Sequence, residues 1–161
     1  MNLVFTNTAE SIDFEKLMDI YQESNLENLY MVKENTSSKN IKDLYKEVRQ
    51  AHINYIKDQF LSDENNFICI LEDGYTYFSS LRLFNEGDYY LLEALETNPA
   101  YRRMGYGEIL LKEVIKKFPK GTLIRSEVGF SNNKSYKLHK KVGFEITGNK
   151  NRSYIFVYKC D

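Results

Sequence analysis

The sequence predicts an α/β fold of the α+β type: a mixed, largely antiparallel central sheet of about seven strands flanked by about four helices. Three observations predict it. Residues 67–97 hold three strand-like runs separated by the turn signals Asp73-Gly74 and Asn85-Glu86-Gly87-Asp88, an antiparallel meander. Residues 89–128 read as strand, glycine loop, helix, strand, and a connection of that length suits a parallel pair. A further helix and two short strands follow, from Asn132 to Lys159.

In chain order, Leu3 to Thr6 reads as a short strand. Ser11 or Asp13 can cap a helix that carries Phe14, Leu17, Ile20 and Tyr21 on one face. Residues 24–40 are polar and include Thr36-Ser37-Ser38, so a loop is expected there. Ile41, Leu44, Tyr45, Val48, Tyr55 and Ile56 then recur near helical spacing, in a helix that ends by Ser62. His52 within it reads as a satisfied surface or core histidine. After the three strands at Phe67–Leu71, Tyr75–Phe84 and 89–97, a helix is marked by Leu110, Leu111, Val114, Ile115 and Phe118, and stops at Pro119-Lys120-Gly121. Thr122 to Val128 is a strand, and Asn132 begins a helix that Gly143 ends. Phe144–Ile146 and Ser153–Lys159 complete the sheet through the turn Gly148-Asn149-Lys150-Asn151. No repeat or linker divides the sequence, so residues 1–161 are expected to form one domain.

The 22 basic and 23 acidic side chains leave a net charge of -1, which offers no general attraction to nucleic acid or acidic membranes. No apolar run is long enough to span a bilayer, and the first residues lack the basic start and apolar stretch of a signal peptide. Cys69 and Cys160 lie far apart in strand-like stretches and read as reduced core thiols; two cysteines alone make no zinc site, and no metal is expected. The reading is a cytoplasmic protein that binds neither nucleic acid nor membrane.

Leu91 to Gly107 and the helix that follows carry the chemistry. Arg102 opens an R-x-x-G-x-G run ending at Gly105 and Gly107. Unpartnered amides at a helix start lie at its positive end, and glycines let a large anion approach the backbone. Such a loop suits a pyrophosphate. It is not a P-loop, because no Gly-Lys-Ser/Thr follows, and not a dinucleotide fingerprint, because the third glycine would fall on Leu110. The plainer alternative is a strand-to-helix turn with incidental glycines. A second pattern lies at Asn132, Ser135, His139 and Gly143-Phe144, in the order Asn, a small residue, an aromatic-type position, then Gly-Phe.

Together the two motifs resemble the GNAT superfamily of N-acetyltransferases, over roughly residues 89–145. The resemblance implies a splayed parallel strand pair, acetyl-CoA as co-substrate, and direct transfer of an acetyl group to a primary amine of a small molecule or protein in a ternary complex. It implies that Leu95, Glu96 and Thr97 contact the pantetheine, that Arg102, Arg103, Met104, Gly105, Tyr106 and Gly107 hold the pyrophosphate, and that Asn132 bonds the cofactor arm. His139 stands where the family usually carries the tyrosine that protonates the leaving thiolate; an imidazole can donate a proton near neutral pH. Glu93 is the favoured base over an unassisted mechanism in which it only binds a cationic substrate or anchors a core hydrogen bond, and Glu127 in the partner strand is a second candidate. Strict alternation puts Glu93 and Glu96 on opposite faces of the strand. The acceptor is expected near Tyr21, Tyr30 and the asparagine-rich segment, and a homodimer is compatible with such a domain. Two readings compete with the enzyme. One is an acyl-CoA-binding sensor of the same fold that has lost turnover. The other is an RNA-directed acetyltransferase, which the near-zero net charge disfavours.

Overall fold

The structure, a computed structural model, describes residues 1–33 and 40–161, with side chains for residues 1–29 and 40–161. Seven strands form one sheet in the order β1-β2-β3-β4-β5-β7-β6. They are β1 Asn2–Thr6, β2 Phe67–Glu72, β3 Tyr77–Asn85, β4 Tyr90–Thr97, β5 Leu123–Gly129, β6 Glu145–Lys150 and β7 Ser153–Lys159. Every pairing is antiparallel except β4 with β5, as the strand–helix–strand unit between them requires. The helices are α1 Phe14–Ile20, α2 Gln22–Lys33, α3 Ile41–Asp58, α4 Tyr106–Ile115 and α5 Asn133–Val142. Asp13 is the cap of α1, its carboxylate accepting from the amides of Glu15 and Lys16.

Each sheet face has its own core. Leu81, Leu83, Leu92, Ile124, Val128 and Phe156 bury one face against Leu110, Leu111 and Val114 of α4 and Phe144 after α5. Ile68 and Ile70 bury the other against Leu17, Met18 and Ile20 of α1, Ile53 and Ile56 of α3, and Phe60. Cys69 and Cys160 are buried free thiols on the first face. No helix among the described residues is long and apolar enough to cross a membrane.

One expected loop is a helix. Gln22–Lys33 forms α2, where residues 24–33 were expected to be loop. Its apolar residues do not recur with a helical period, and its asparagines are weak helix formers. The helix is held from outside instead. The Asn25 amide donates to the Tyr21 carbonyl at 2.9 Å, continuing the turn of α1, and Leu29 packs against Leu44 and Val48 of α3. The rest of that expected loop, 34–39, and the Tyr30 side chain lie outside the described residues.

Candidate active site

β4 and β5 are parallel partners at only three positions: Tyr90 with Ile124, Leu91 with Arg125, and Leu92 with Ser126. Both strands run on, β4 to Thr97 and β5 to Gly129, without further pairing to each other. From Glu93 onward β4 therefore offers one edge with no neighbouring strand, and residues 93–97 are all half-buried. An open strand edge can pair with an extended ligand as it would with another strand.

The same segment contains a bulge that the alternation rule does not foresee. Arg82 of β3 pairs with Glu93, and Ser80 pairs with Glu96, so Leu81 alone faces both Ala94 and Leu95. Ala94 takes a left-handed conformation at φ 51°. The extra residue reverses the alternation. Leu95 joins the core beside α4, while Glu93 and Glu96 share the face beside α1 and α3. The expectation that the two carboxylates lie on opposite faces is thereby corrected.

A cavity of about 790 Å³ opens on that face. Ser24, Asn25 and Asn28 of α2, Tyr21, and His52 and Tyr55 of α3 form one wall; Arg82, Glu93, Glu96 and Glu127 form the other. Burial pushes the Glu96 carboxyl up to about 7; Ser24 and Arg102 pull it down, and Glu27 and Glu23 push it further up. Glu127, by contrast, is ion-paired with Arg125 at 2.8 Å. The His52 Nδ1 lies 2.9 Å from Asn25 Oδ1 and so carries the proton, leaving Nε2 to accept from Arg82 Nη1 at 3.4 Å. Burial and the Arg82 charge lower His52 to about 4, so the ring is neutral near pH 7. Tyr21 and the start of the asparagine-rich segment, Ser24, Asn25 and Asn28, line the cavity as the expected acceptor side. Sequence reasoning assigned Glu96 to the cofactor alone and missed His52 and Arg82, which nothing local distinguishes from ordinary core-facing polar groups.

At the end of β4, Asn98 caps the turn at Pro99–Tyr101 by accepting from the Ala100 amide at 3.1 Å. The exposed loop Arg102–Gly105 follows. Arg103 at φ 65° and Gly105 at φ 81° turn it sharply onto α4, where the first helical bond is Ile109 to Gly105. The amides of Tyr106, Gly107 and Glu108 thus have no partner four residues back and head the positive end of the helix. A Cβ on Gly107 would stand 3.6 Å from Thr97 Oγ1 and 3.4 Å from Leu138 Cδ2, closing part of the space between β4 and α5. The loop geometry fits an anion. Arg102, however, gives its guanidinium to Glu23 rather than leaving it free over the loop.

Asn132 caps α5, its Oδ1 accepting from the Ser135 amide at 3.1 Å, and its amide nitrogen is left to donate to a ligand. His139 is 1% exposed. It reaches the sheet from the face opposite Glu93 and Glu96, with its ring against Phe144 and Phe156. Its Nδ1 lies 2.7 Å from the Ser135 carbonyl, an acceptor, so Nδ1 carries the proton of the neutral ring, and the lone pair of Nε2 has no hydrogen-bond partner among the described residues. Burial lowers its pKa, against the opposing pull of the Ser135 carbonyl.

The family model described as the acetyltransferase (GNAT) family matches residues 17–144. No curated protein matches the chain. Among solved structures, the PaiA N-acetyltransferase of Thermoplasma acidophilum in complex with coenzyme A aligns over 99% of both chains with a TM-score of 0.66 at 19% identity. An aminoglycoside 6'-acetyltransferase type Ii aligns over 100% of this chain and 98% of its own, with a TM-score of 0.65 at 12% identity. The N-acetyltransferase PseH of Campylobacter jejuni, in complex with acetyl coenzyme A, aligns over 84% and 92% with a TM-score of 0.53 at 17% identity. At these identities the likeness is one of fold.

Proposed function

The chain belongs to the acetyltransferase (GNAT) family, and from that premise we propose that it moves the acetyl group of acetyl-CoA to a primary amine, in a ternary complex, with Glu96 as the base. The observation that carries the reading is the coincidence of three features at one place. The β4 edge opens from Glu93, the amides of α4 lie at its end, and the cavity beside it holds a carboxyl poised near 7.

The pyrophosphate belongs on the amides of Tyr106 to Glu108, and the pantetheine along the open edge between Leu95 and Thr97. The acceptor enters from the cavity face. An amine arrives as ammonium and must lose a proton before its nitrogen can attack the thioester carbon. Glu96, ionised in part near neutral pH, takes that proton. Glu93, on the same face, holds the cationic amine before transfer. The new C–N bond forms, the C–S bond breaks, and the second amine proton leaves with the thiolate or with solvent. A thiol of pKa about 8.5 is a fair leaving group, so the departure proceeds without a side-chain acid, though more slowly than with one. The free thiols Cys69 and Cys160 suit a reducing compartment, and we place the protein in the cytoplasm.

A second reading is an acyl-CoA sensor of low turnover, and His139 favours it. The position that would supply the acid in a faster enzyme holds a buried ring whose free nitrogen is bare. The two readings separate in one assay. Protein, acetyl-CoA and a panel of small amines and peptides are mixed, and release of free thiol is followed beside coenzyme A affinity. Amine-dependent thiol release supports the enzyme. Tight coenzyme A binding with no release above hydrolysis for any amine overturns it in favour of the sensor.

A further inference from the structure

We propose that Tyr21 is a positioning residue that sets the acceptor cleft, its hydroxyl clamping the β4 bulge at Ala94 and its carbonyl anchoring the first turn of α2. The inference deepens the reading of this cavity as an acceptor site and rests on it.

Tyr21 is 2% exposed, and its ring fills the core between α1 and the sheet. Packing alone would be served by phenylalanine. The hydroxyl has a separate partner: it donates to the Ala94 carbonyl at 2.8 Å. Where two residues face one across a ladder, a backbone group loses its strand partner, and a buried carbonyl left unpaired is costly. Ala94 is also held at φ 51°, a conformation that a residue with a Cβ enters only under constraint. The phenol supplies that constraint. Burial raises its pKa, so it remains a donor at every pH of interest.

The other end of the residue acts on the opposite wall. The Tyr21 carbonyl accepts from Ser24 Oγ at 3.0 Å and from the Asn25 amide at 2.9 Å. Asn25 in turn orients His52. One residue thus fixes the bulge that turns Glu96 into the cavity and the helix turn that faces it. The hydroxyl sets the wall that carries Glu96, and so the fit of an amine against the wall of α2 and α3.

Tyr21→Phe keeps the ring and removes the clamp. The expected result is a folded protein whose kcat falls about tenfold while KM for acetyl-CoA stays within about twofold, the pattern of a lost transition-state geometry. A readout independent of turnover is the titration of the Glu96 side-chain carboxyl by carbon NMR. Its midpoint should fall in the variant, because a loosened bulge lets water reach the group. Ala94→Gly in the Tyr21→Phe background should recover part of both changes, since glycine holds a positive φ without a clamp. Unchanged kcat and midpoint in Tyr21→Phe overturn the proposal. So does a loss that Ala94→Gly does not rescue, or a variant that fails to fold, because the hydroxyl is then only a stability element. A wild type that shows no transfer, with a midpoint that still moves in the variant, keeps the clamp and removes the acetyltransferase reading.

Discussion

Arg102 donates from Nη1 and Nη2 to the carboxylate of Glu23, the second residue of α2, at 2.9 and 2.7 Å, which ties α2 to the glycine loop. The pair sits half in solvent. Arg102 and the charge of Lys134 hold the Glu23 carboxyl below its ordinary range. A carboxylate therefore stands among the cations expected to attract a pyrophosphate. Removing it should free Arg102 for the ligand. Glu23→Gln is expected to tighten coenzyme A binding by about three- to tenfold at low salt, and the gain should shrink as salt screens the exposed charges. Calorimetry at two ionic strengths checks it. Weaker binding in the variant would mean that the ion pair builds the loop rather than competing with the ligand.

Gly107 separates the demands of folding from those of binding. Its backbone is not left-handed, and a methyl group there meets only ordinary contacts. As the second residue of α4, glycine costs up to about 1 kcal/mol relative to alanine. Gly107→Ala should therefore be as stable as the wild type, or more stable by roughly 0.5 kcal/mol. It should nonetheless bind coenzyme A at least tenfold more weakly, because the methyl enters the space between Thr97 and Leu138. Denaturant melts and calorimetry on one preparation test both halves. Native affinity in this variant removes the assignment of the loop to the pyrophosphate.

The tautomer at His139 leads to a third expectation. A neutral ring with its proton on Nδ1 has none to give from Nε2, and burial disfavours the imidazolium that would have one. His139→Gln should cost roughly 1–3 kcal/mol of stability, as a buried ring and its bond to the Ser135 carbonyl are lost. It should keep kcat within about threefold, well short of the 10²–10⁴-fold typical of general acid catalysis. Single-turnover rates at saturating acetyl-CoA make the measurement. A loss of tenfold or more with coenzyme A affinity intact would restore the acid role that the motif suggested.

Most strands were legible because their signals are local: apolar runs bounded by Asp73-Gly74 and Asn85–Asp88, and a glycine loop before a periodic helix. β6 was not, since Gly148-Asn149-Lys150 reads as a turn yet pairs with β7 as strand. The site was legible only in part. Glu93-Ala94-Leu95-Glu96 reads as four residues of a regular strand, and nothing in them announces a bulge. The bulge belongs to the pairing with Leu81 and to the hydroxyl of Tyr21, seventy-three residues away in sequence. Parity past Ala94 was therefore read wrongly, and with it the face of Glu96. α2 escaped for a similar reason: its helicity comes from α1 and α3, not from its own residues. His139 was found by its place in a motif, but its tautomer is set by the Ser135 carbonyl one turn away.

Glu96 should show opposite signs in stability and activity. Its folded pKa, about 7, lies above the ordinary 4.5. Below pH 4.5 both the folded and unfolded forms are protonated and the group costs nothing. As pH rises from 4.5 to 7, the unfolded chain ionises first, so native stability falls through that window and stays lower above it. The full shift corresponds to about 3 kcal/mol, reduced to roughly 1–2 kcal/mol because water reaches the group. Glu96→Gln removes the cost, so the variant should be more stable than the wild type at pH 8 by that amount and indistinguishable from it below pH 4.5. Activity runs the other way. The wild-type kcat/KM should rise about tenfold per pH unit below 7 and level off above it, as the base form accumulates; the glutamine variant should lose that limb and about 10²–10⁴-fold in rate. Denaturant melts at the two pH values and a pH–rate profile make the test. A glutamine variant that keeps the limb would move the base to Glu93, or leave the titration to the amine itself.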